Sequence, residues 1–498
     1  MSFKIAFIGA GSIGFTRNLL RDILSVPEFQ GIGVAFSDIN PNNLDMVTRL
    51  CQRDIDENGL AIQIKSTLDR REAFQGAKYV INCIRQGLLE AFETDVNIPL
   101  KYGVDQCVGD TLCAGGIMYG QRTVIELLDF CKDIREVAAP GCLLLNYSNP
   151  NAIVTWACNQ YGKVNTIGLC HGVQGGIGSI AEALGLPREE LDYICAGINH
   201  QTWYISVKHR GRDMLPLLLD AFEGHEKFSQ TEKVRIDVLR RFGYFSTESN
   251  GHLSEYLPWY RKRPEEIAQW INPELGGWAC GETGGYLRVC TEGRNWFEAD
   301  FANFHEWPAR KYASEERGGE HGSYIIEGLE TGRLYRGHFN VVNSGCITNL
   351  PDDAIVEVPG YVDTNGVNIP KVGALPLGPA AICNASISVQ RLAVEAAVHG
   401  DAMLLKQAML MDPLVSAVCT TAEACQMTDE MLIAGEKWLP QYKEAIARAK
   451  AYFASGKALP TRDTQGAVRL HVKTVDEMAE DKEKARKLAE ASKKEGLG

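Results

Sequence analysis

The chain has 498 residues, of which 45% are hydrophobic, a formal net charge of −12 and a sequence pI of about 5.5. This length is enough to bury a large core, and we expect two interlocked domains. The negative charge argues against nucleic acid or an anionic membrane as a partner. The opening FKIAFIGAG has no basic segment, long apolar run or cleavage site, so we expect a cytoplasmic protein that does not span a membrane.

The cysteines give no sign of a disulfide framework. Fifteen are scattered through apolar segments, and no Cys-x-x-Cys pair occurs. This distribution is typical of buried, reduced thiols. A cysteine with special chemistry must therefore be recognised from its neighbours.

Short apolar runs alternate with helical patterns in the first part of the chain, as in a doubly wound α/β sheet. Leu19, Leu20, Ile23 and Leu24 fall at helical spacing and form one apolar face between the first two runs. The predicted strands are Lys4 to Ile8, Val34 to Asp38, Tyr79 to Ile84, Leu143 to Tyr147 and Thr166 to Leu169.

The residue pattern changes from about Gly197, where aromatic residues and glycines are mixed with clusters of polar residues. A strand-like passage follows from Ala354 to Val362, and helical spacing returns from Ala385 to Met411. The final segment VDEMAEDKEKARKLAEASKKEGLG is predicted to be a charge-rich helix or frayed tail, solvated as an appendage. We therefore predict an α/β fold with a Rossmann-like doubly wound domain (1–196), an intimately packed mixed α+β domain (197–442) and a charged C-terminal extension (443–498).

The motif GAGSIG follows the first apolar run directly and opens the amphipathic helix, as a dinucleotide-binding turn requires. Gly9 permits the tight turn, Gly11 lets the backbone approach a pyrophosphate, and Gly14 is expected to allow close helix packing. Asp38 ends the second strand, where a carboxylate accepts hydrogen bonds from ribose hydroxyls and disfavours a 2′-phosphate. The sequence thus predicts NAD as a cofactor. The candidate binding residues are Gly9, Gly11, Ser12, Ile13, Gly14 and Asp38.

Polar residues follow three later strands of the predicted sheet. Arg85, Asn149, Cys170 and His171 should meet at its carboxyl edge, close to the nicotinamide end of the cofactor. Cys170 can be read as a nucleophile with His171 or His200 as its base. It can also be read with His200 as a pair of metal ligands, or both can be ordinary core residues. The residue types alone leave these alternatives open.

A set of unusual motifs occurs in the order GAGSIG, GDTLCAGGIM, NYSNPNA, GLCHGVQG, AGINH and YFSTESNGHLSEYLPWY. The set resembles the NAD- and divalent-metal-dependent glycosidases of glycoside hydrolase family 4, over about residues 3–442. The resemblance implies a cycle of oxidation at C3 of the sugar, loss of the C2 proton with elimination, water addition and reduction, without net redox change. It also implies Mn²⁺ or another divalent metal, homodimers or homotetramers, and a second domain for metal, substrate and oligomerisation.

The resemblance also assigns roles to individual positions. Cys170 and His200 match the metal ligands, and Asn149 matches a substrate-binding asparagine. Tyr256 matches the tyrosine proposed as the C2 base, which would need a nearby cation such as the metal to act at neutral pH.

Two further positions depart from the family pattern. His171 stands where some relatives carry an acidic residue assigned as the general acid, a role that an imidazolium can fill. Asp110, a third catalytic candidate, lies in GDTLCAGG, where Cys113 and Ala114 replace the usual Gly-Pro. The shape of that loop is therefore left open.

The substrate class is read from the tetrapeptide CHGV and from Arg85. CHGV resembles the α-galacturonidase branch of the family, whereas α-galactosidases typically have CHSV. Arg85 can grip a sugar carboxylate bidentately, although it can instead meet the cofactor or a protein carboxylate. The expected substrate is therefore a small α-glycoside, a galacturonide before a galactoside and a glucuronide third. An NAD-dependent hydroxy-acid dehydrogenase and a catalytically silent NAD-binding regulator are the alternatives from other classes.

Overall fold

A computed structural model describes residues 2–272, 277–462 and 464–494. The strands described belong to one continuous sheet. They are β1 Lys4–Ile8, β2 Gly33–Ser37, β3 Ile64–Thr67, β4 Tyr79–Asn82, β5 Leu143–Asn146, β6 Thr166–Gly168, β7 Leu191–Ile198, β8 Gln201–His209, β9 Arg212–Asp213, β10 Phe245–Ser246, β11 Tyr335–Val342, β12 Ile355–Asp363 and β13 Gly366–Asn368.

Helices cover the sheet and form a separate layer in the second half. They are α1 Ile13–Leu24, α2 Pro41–Glu57, α3 Arg70–Phe74, α4 Leu88–Lys101, α5 Cys113–Val137, α6 Asn151–Gln160, α7 Gly172–Leu184, α8 Leu218–Gly224, α9 Phe228–Thr231, α10 Lys233–Phe242, α11 Asn250–Tyr256, α12 Pro264–Trp270, α13 Gly285–Glu298, α14 His321–Thr331, α15 Leu377–His399, α16 Ala402–Met411, α17 Pro413–Val418, α18 Thr421–Ala434, α19 Lys443–Ala454 and α20 Val475–Lys494. Within the described ranges, none of them is both long and apolar enough to cross a bilayer.

Six strands of the first half are parallel and run in the order β3-β2-β1-β4-β5-β6. This is the order of a dinucleotide-binding doubly wound sheet, so the predicted Rossmann-like fold is confirmed. The five predicted strands all occur, each within a residue or two of its expected ends. The sequence did not reveal β3, because this edge strand is polar and only partly buried.

The sheet continues into the second half through antiparallel pairing. Asn340 of β11 pairs with Gly168 of β6, and β12, β7, β8 and β10 follow in turn. The strand predicted from Ala354 to Val362 is β12. The helix predicted from Ala385 to Met411 is two helices, since Gly400 adopts φ 64° and the Asp401 side chain caps α16.

The predicted apolar face of α1 lies in the core of the first half. Leu19, Leu20, Ile23 and Leu24 are fully buried in a cluster with the sheet residues Phe7 and Phe36. A larger cluster joins α5 of the first half to α15 of the second half. All fifteen cysteines are free and ten are buried, as their distribution predicted.

The C-terminal extension is attached to the body of the protein rather than solvated as an appendage. The backbone N–H of Ala467 donates to the buried Asp105 carboxylate at 2.9 Å. Helix α20 packs against α13, with the Lys482 ammonium 3.7 Å from the centre of the Trp296 ring. The segment predicted as a charge-rich helix is α20, and its described side chains are mostly exposed and none is buried, as its composition predicted. The preceding residues and Lys482 nevertheless attach the extension to the body of the protein. Residues 495–498 lie outside those that the structure describes.

Candidate functional site

A cavity of about 310 Å³ opens at the carboxyl ends of β1, β2 and β4. Gly9 adopts φ 81°, and a Cβ at this position would lie 3.0 Å from the backbone of Cys83. The Gly11 N–H donates to the Asp38 carboxylate at 2.8 Å, so an added Cβ would meet the same carboxylate. The glycines thus keep the backbone close to the cavity. Its walls include Gly9, Gly11, Ser12, Asp38, Asn40 and Arg85.

The remaining residues of the glycine motif start α1. Ser12 is its N-cap, Ile13 is its first residue, and Gly14 lies exposed in its first turn. The N-terminal end of α1 carries the positive end of the helix dipole. A Cβ at Gly14 would meet nothing within 4 Å, so the expected need for close helix packing at this glycine was wrong.

Three potential metal-binding side chains converge beside this edge of the sheet. Cys170 follows β6, His200 lies in the turn between β7 and β8, and Glu248 lies between β10 and α11. Their ligand atoms all lie within 4.8 Å of one another. Cys170 Sγ is 3.5 Å from Glu248 Oε1, which is 3.9 Å from His200 Nε2. A thiolate, an imidazole and a carboxylate form a donor set suited to a divalent transition metal.

The tautomer of His200 follows from its hydrogen bonds. The Thr111 hydroxyl donates to the Asp110 carboxylate at 2.8 Å and lies 2.9 Å from His200 Nδ1. Because the carboxylate only accepts, the single hydroxyl proton is used there, and His200 Nδ1–H must donate to Thr111. His200 Nε2 therefore keeps its lone pair for a metal.

Asp110 joins the metal-binding cluster to the other predicted residues. Its Oδ2 accepts hydrogen bonds from Arg85 and from the Asn149 amide, each at 3.1 Å. Asp110 is only 1% exposed, so it orients three neighbouring side chains. Burial and full use of its oxygens favour a positioning role over proton exchange with substrate.

The Arg85 guanidinium is held by an aromatic cage as well as by Asp110. Its centre lies 4.2 Å from the Phe92 ring, 4.9 Å from Tyr119 and 5.5 Å from Tyr286. Nearby Tyr119 and Asp110 outweigh the opposing effect of burial and raise the pKa of Arg85 further above its ordinary value. Arg85 is thus a fixed cation that already has a carboxylate partner.

A second cavity of about 490 Å³ contains the metal-binding cluster together with Asp110, Asn149 and His171. Two family models match the chain, "Family 4 glycosyl hydrolase" over residues 4–186 and "Family 4 glycosyl hydrolase C-terminal domain" over residues 195–415. The chain belongs to glycosyl hydrolase family 4. This membership favours a glycosidase over the hydroxy-acid dehydrogenase that the sequence left open.

Curated relatives in family 4 cover nearly the whole chain. An α-galactosidase of Rhizobium meliloti (strain 1021) is 56% identical and matches over 97% of this chain and 99% of its own length. An α-galacturonidase of Bacillus subtilis (strain 168) is 30% identical over 86% of this chain and 96% of its own. The galacturonide specificity expected from CHGV is therefore not established.

Solved family 4 structures share the fold. Two structures of 6-phospho-α-glucosidase from gut microorganisms match with a TM-score of 0.72, each covering 88% of this chain and 99% of its own. One, 25% identical, is in complex with NAD and glucose-6-phosphate. The other, 21% identical, is in complex with NAD and Mn²⁺.

Tyr256 lies next to the site but does not line the second cavity, with its ring centre 6.1 Å from that of His252. It is 1% exposed, and its hydroxyl has no hydrogen-bond partner in good geometry among the described residues. Burial raises the pKa of this phenol well above its ordinary value. One helical turn earlier, His252 lines the cavity, with Nδ1 2.7 Å from Ser249 Oγ and Nε2 3.9 Å from Glu248 Oε2.

His171 stands at the open side of the second cavity, where its side chain is 49% exposed. Its Nε2 lies 2.9 Å from Glu320 Oε2, and this hydrogen bond raises the pKa of His171. The structure thus brings His171 to the cavity that contains the metal-binding cluster.

Sequence reasoning missed Thr111, Glu248 and His252. The last two lie four residues apart in STESNGHLSEY, a motif that was read only for its tyrosine. Glu248 precedes the N-cap of α11 and has φ 68°, so helical spacing does not identify it. Its contact with Cys170, 78 residues away, does.

Proposed function

We propose that this family 4 enzyme hydrolyses α-galactosides. The observation that carries the proposal is that both arginines near the second cavity already form ion pairs with protein carboxylates. Arg85 is paired with Asp110, and Arg235 is paired with Glu232 at 3.1 Å. Neither guanidinium is left to receive the carboxylate of a uronide.

The charge of the cavity supports the same conclusion. Among the described residues that line it, the carboxylates Asp110, Glu232 and Glu248 face a single arginine, Arg235. With a bound divalent cation and the Cys170 thiolate included, these groups still carry a net negative charge, so a neutral sugar would enter without the repulsion that a uronate would meet. The more similar of the two curated relatives is likewise an α-galactosidase.

An α-galacturonide is the second candidate. It is favoured by the CHGV sequence at Cys170 and by the position of Arg85, whose partner Asp110 lines the cavity. A uronate could bind there only by competing with Asp110 for the guanidinium. The sequence preferred this substrate, but the ion pair weakens the reason for that preference.

The first cavity fits NAD. Asp38 lies at the end of β2, where its carboxylate would accept hydrogen bonds from the ribose hydroxyls. The N-terminal end of α1 faces the same cavity and would bind the pyrophosphate. Ile39 is 80% exposed on the same cavity and offers an apolar surface that a flat base would cover. When bound, NAD would supply a reversible hydride acceptor, and Mn²⁺ would supply a Lewis acid for the sugar hydroxyls.

The side chains around these groups would divide the remaining work. Cys170 and His200 would hold the metal, with Thr111 fixing the His200 tautomer. Asn149, held by Asp110, would bind a sugar hydroxyl. His252 presents an imidazole to the cavity for the C2 proton, which makes it a better placed base than Tyr256.

Hydrolysis of p-nitrophenyl α-D-galactoside and α-D-galacturonide should be measured side by side, omitting NAD⁺, Mn²⁺ and dithiothreitol in turn. We expect the galactoside to be cleaved faster, with activity lost when NAD⁺ or Mn²⁺ is absent. Faster cleavage of the galacturonide would instead assign Arg85 to the substrate carboxylate. Cleavage of neither substrate under complete conditions would contradict the proposal.

A further inference from the structure

We infer that Glu248 is a third protein ligand of the divalent metal, beside Cys170 and His200. The inference rests on the metal site of the proposed function. It concerns metal binding alone, so it can be tested without any glycoside.

The distances fit one shared ion. Glu248 Oε1 lies 3.5 Å from Cys170 Sγ and 3.9 Å from His200 Nε2. Ligand atoms bound at about 2.0–2.3 Å to one ion are separated by roughly 3–4 Å. A cation between these three atoms would therefore need only small side-chain adjustments.

Glu248 also lacks a permanent positive partner. Its side chain is 13% exposed, and in the described part of the chain its ion-pair neighbours are the imidazoles of His200 and His252, each at 3.9 Å. Neither lysine nor arginine forms an ion pair with it there. Burying an unpaired carboxylate is costly, and a divalent cation would offset that cost.

Backbone strain coincides with two of the three ligands. His200 has φ 61° and Glu248 has φ 68°, in the left-handed region that non-glycine residues rarely adopt. Strain of this kind clusters at sites where the surrounding structure fixes a side chain for a function.

Gly172 provides the second independent observation. A Cβ at this first residue of α7 would lie 1.7 Å from Glu248 Oε1, so a side chain here would require the carboxylate to move. The Gly172 N–H also points to Cys170 Sγ at 3.4 Å. One backbone position thus holds the sulfur and leaves room for the carboxylate. A side chain at 172 would push the carboxylate away from the cluster.

The test is a titration of the full-length, metal-free protein with Mn²⁺, without NAD or sugar. The electron paramagnetic resonance signal of free Mn²⁺ measures how much of the ion is bound. Glu248→Gln keeps the shape but removes the charge, and Gly172→Ala displaces the carboxylate. We expect each to weaken Mn²⁺ binding at least about tenfold. Cys170→Ser should do the same as a positive control.

Two controls match these variants. Glu182→Gln removes an exposed carboxylate from α7, and Gly178→Ala adds a methyl group to the same helix where nothing lies within 4 Å. Both should keep Mn²⁺ affinity within about threefold of the parent. Circular dichroism before titration separates weak binding from loss of fold, and Glu248→Asp serves as a second variant if Glu248→Gln does not fold.

Unchanged Mn²⁺ affinity in folded Glu248→Gln, together with loss in Cys170→Ser, would overturn the inference. In that case a higher KM for the galactoside in Glu248→Gln would assign the carboxylate to a sugar hydroxyl. Weakened Mn²⁺ binding in a protein that cleaves no α-galactoside would uphold the ligand and contradict only the proposed function.

Discussion

The guanidinium of Arg85 and the carboxylate of Asp110 lie 3.1 Å apart and connect the two cavities of the protein. Arg85 lines the cavity proposed for NAD, and Asp110 lines the cavity that holds the metal-binding cluster. Through Thr111, the same pair reaches His200. The ion pair is thus a structural element of the site, whichever substrate is bound.

Replacing Arg85 with Gln should lower kcat/KM for galactoside and galacturonide alike, by roughly ten- to a hundredfold. The change leaves Asp110 without its cation and loosens Asn149 and Thr111. Steady-state kinetics on both substrates would measure this, with the exposed Arg448→Gln as control. A fall confined to the galacturonide would mean that Arg85 grips a uronate.

Replacing His252 with Asn should reduce kcat by about 10²- to 10⁴-fold, the usual effect of losing a general base. Tyr256→Phe should retain most of the activity, because its hydroxyl is buried and has no hydrogen-bond partner in the described structure. Solvent deuterium exchange at C2 of the sugar would report the step directly. The reverse order of effects would restore Tyr256 as the base.

Replacing Gly11 with Ala should weaken NAD⁺ binding by at least about tenfold. The added Cβ would lie 2.8 Å from Asp38 Oδ2 and displace the carboxylate that a ribose needs. Isothermal titration with NAD⁺ measures the change. Gly31→Ala, where nothing lies within 4 Å, is the matched control. Equal affinities for the two variants would place NAD elsewhere.

Acid should destabilise the fold through His338 on β11. Burial, with smaller effects of His321 and Arg336, lowers the pKa of His338 to about 3. An unfolded histidine takes up a proton near pH 6.5, whereas the folded one stays neutral. Stability is therefore complete above pH 6.5 and falls as the pH drops, by about 1.4 kcal/mol at pH 5.5.

Urea unfolding of the parent and of His338→Gln at pH 7.5 and 5.5 tests this expectation. Groups shared by the two proteins affect both alike, so the parent should lose about 1.4 kcal/mol more free energy of unfolding than the variant. The same loss in both proteins would show that His338 accepts a proton in the folded state.

Five of the six parallel strands could be predicted because each is a short apolar run, whereas β3 is polar. The placement of Cys170, Asn149 and Arg85 followed from the carboxyl edge of that sheet. The division of the chain at residue 196 remains a prediction, as does the oligomeric state.

Other features depend on contacts that no local pattern contains. The role of Glu248 emerges only when a turn far along the chain meets Cys170, and Arg85 was assigned to substrate because its partner Asp110 is 25 residues away. The composition of the C-terminal extension likewise predicts that it is charged, but it does not predict the hydrogen bond from the extension to Asp105. Long-range pairing decides these cases, and one sequence does not record it.

The pairing of β6 with β11 matters while the protein is being made on the ribosome. Gly168 of β6 can pair with Asn340 of β11 only after another 172 residues have been synthesised. At about 5–20 residues per second, the open side of β6 stays unpaired for roughly 10–30 s. An open strand is a template for association with other chains. Nascent chains that stall before residue 340 should therefore be the ones that chaperones bind or that aggregate.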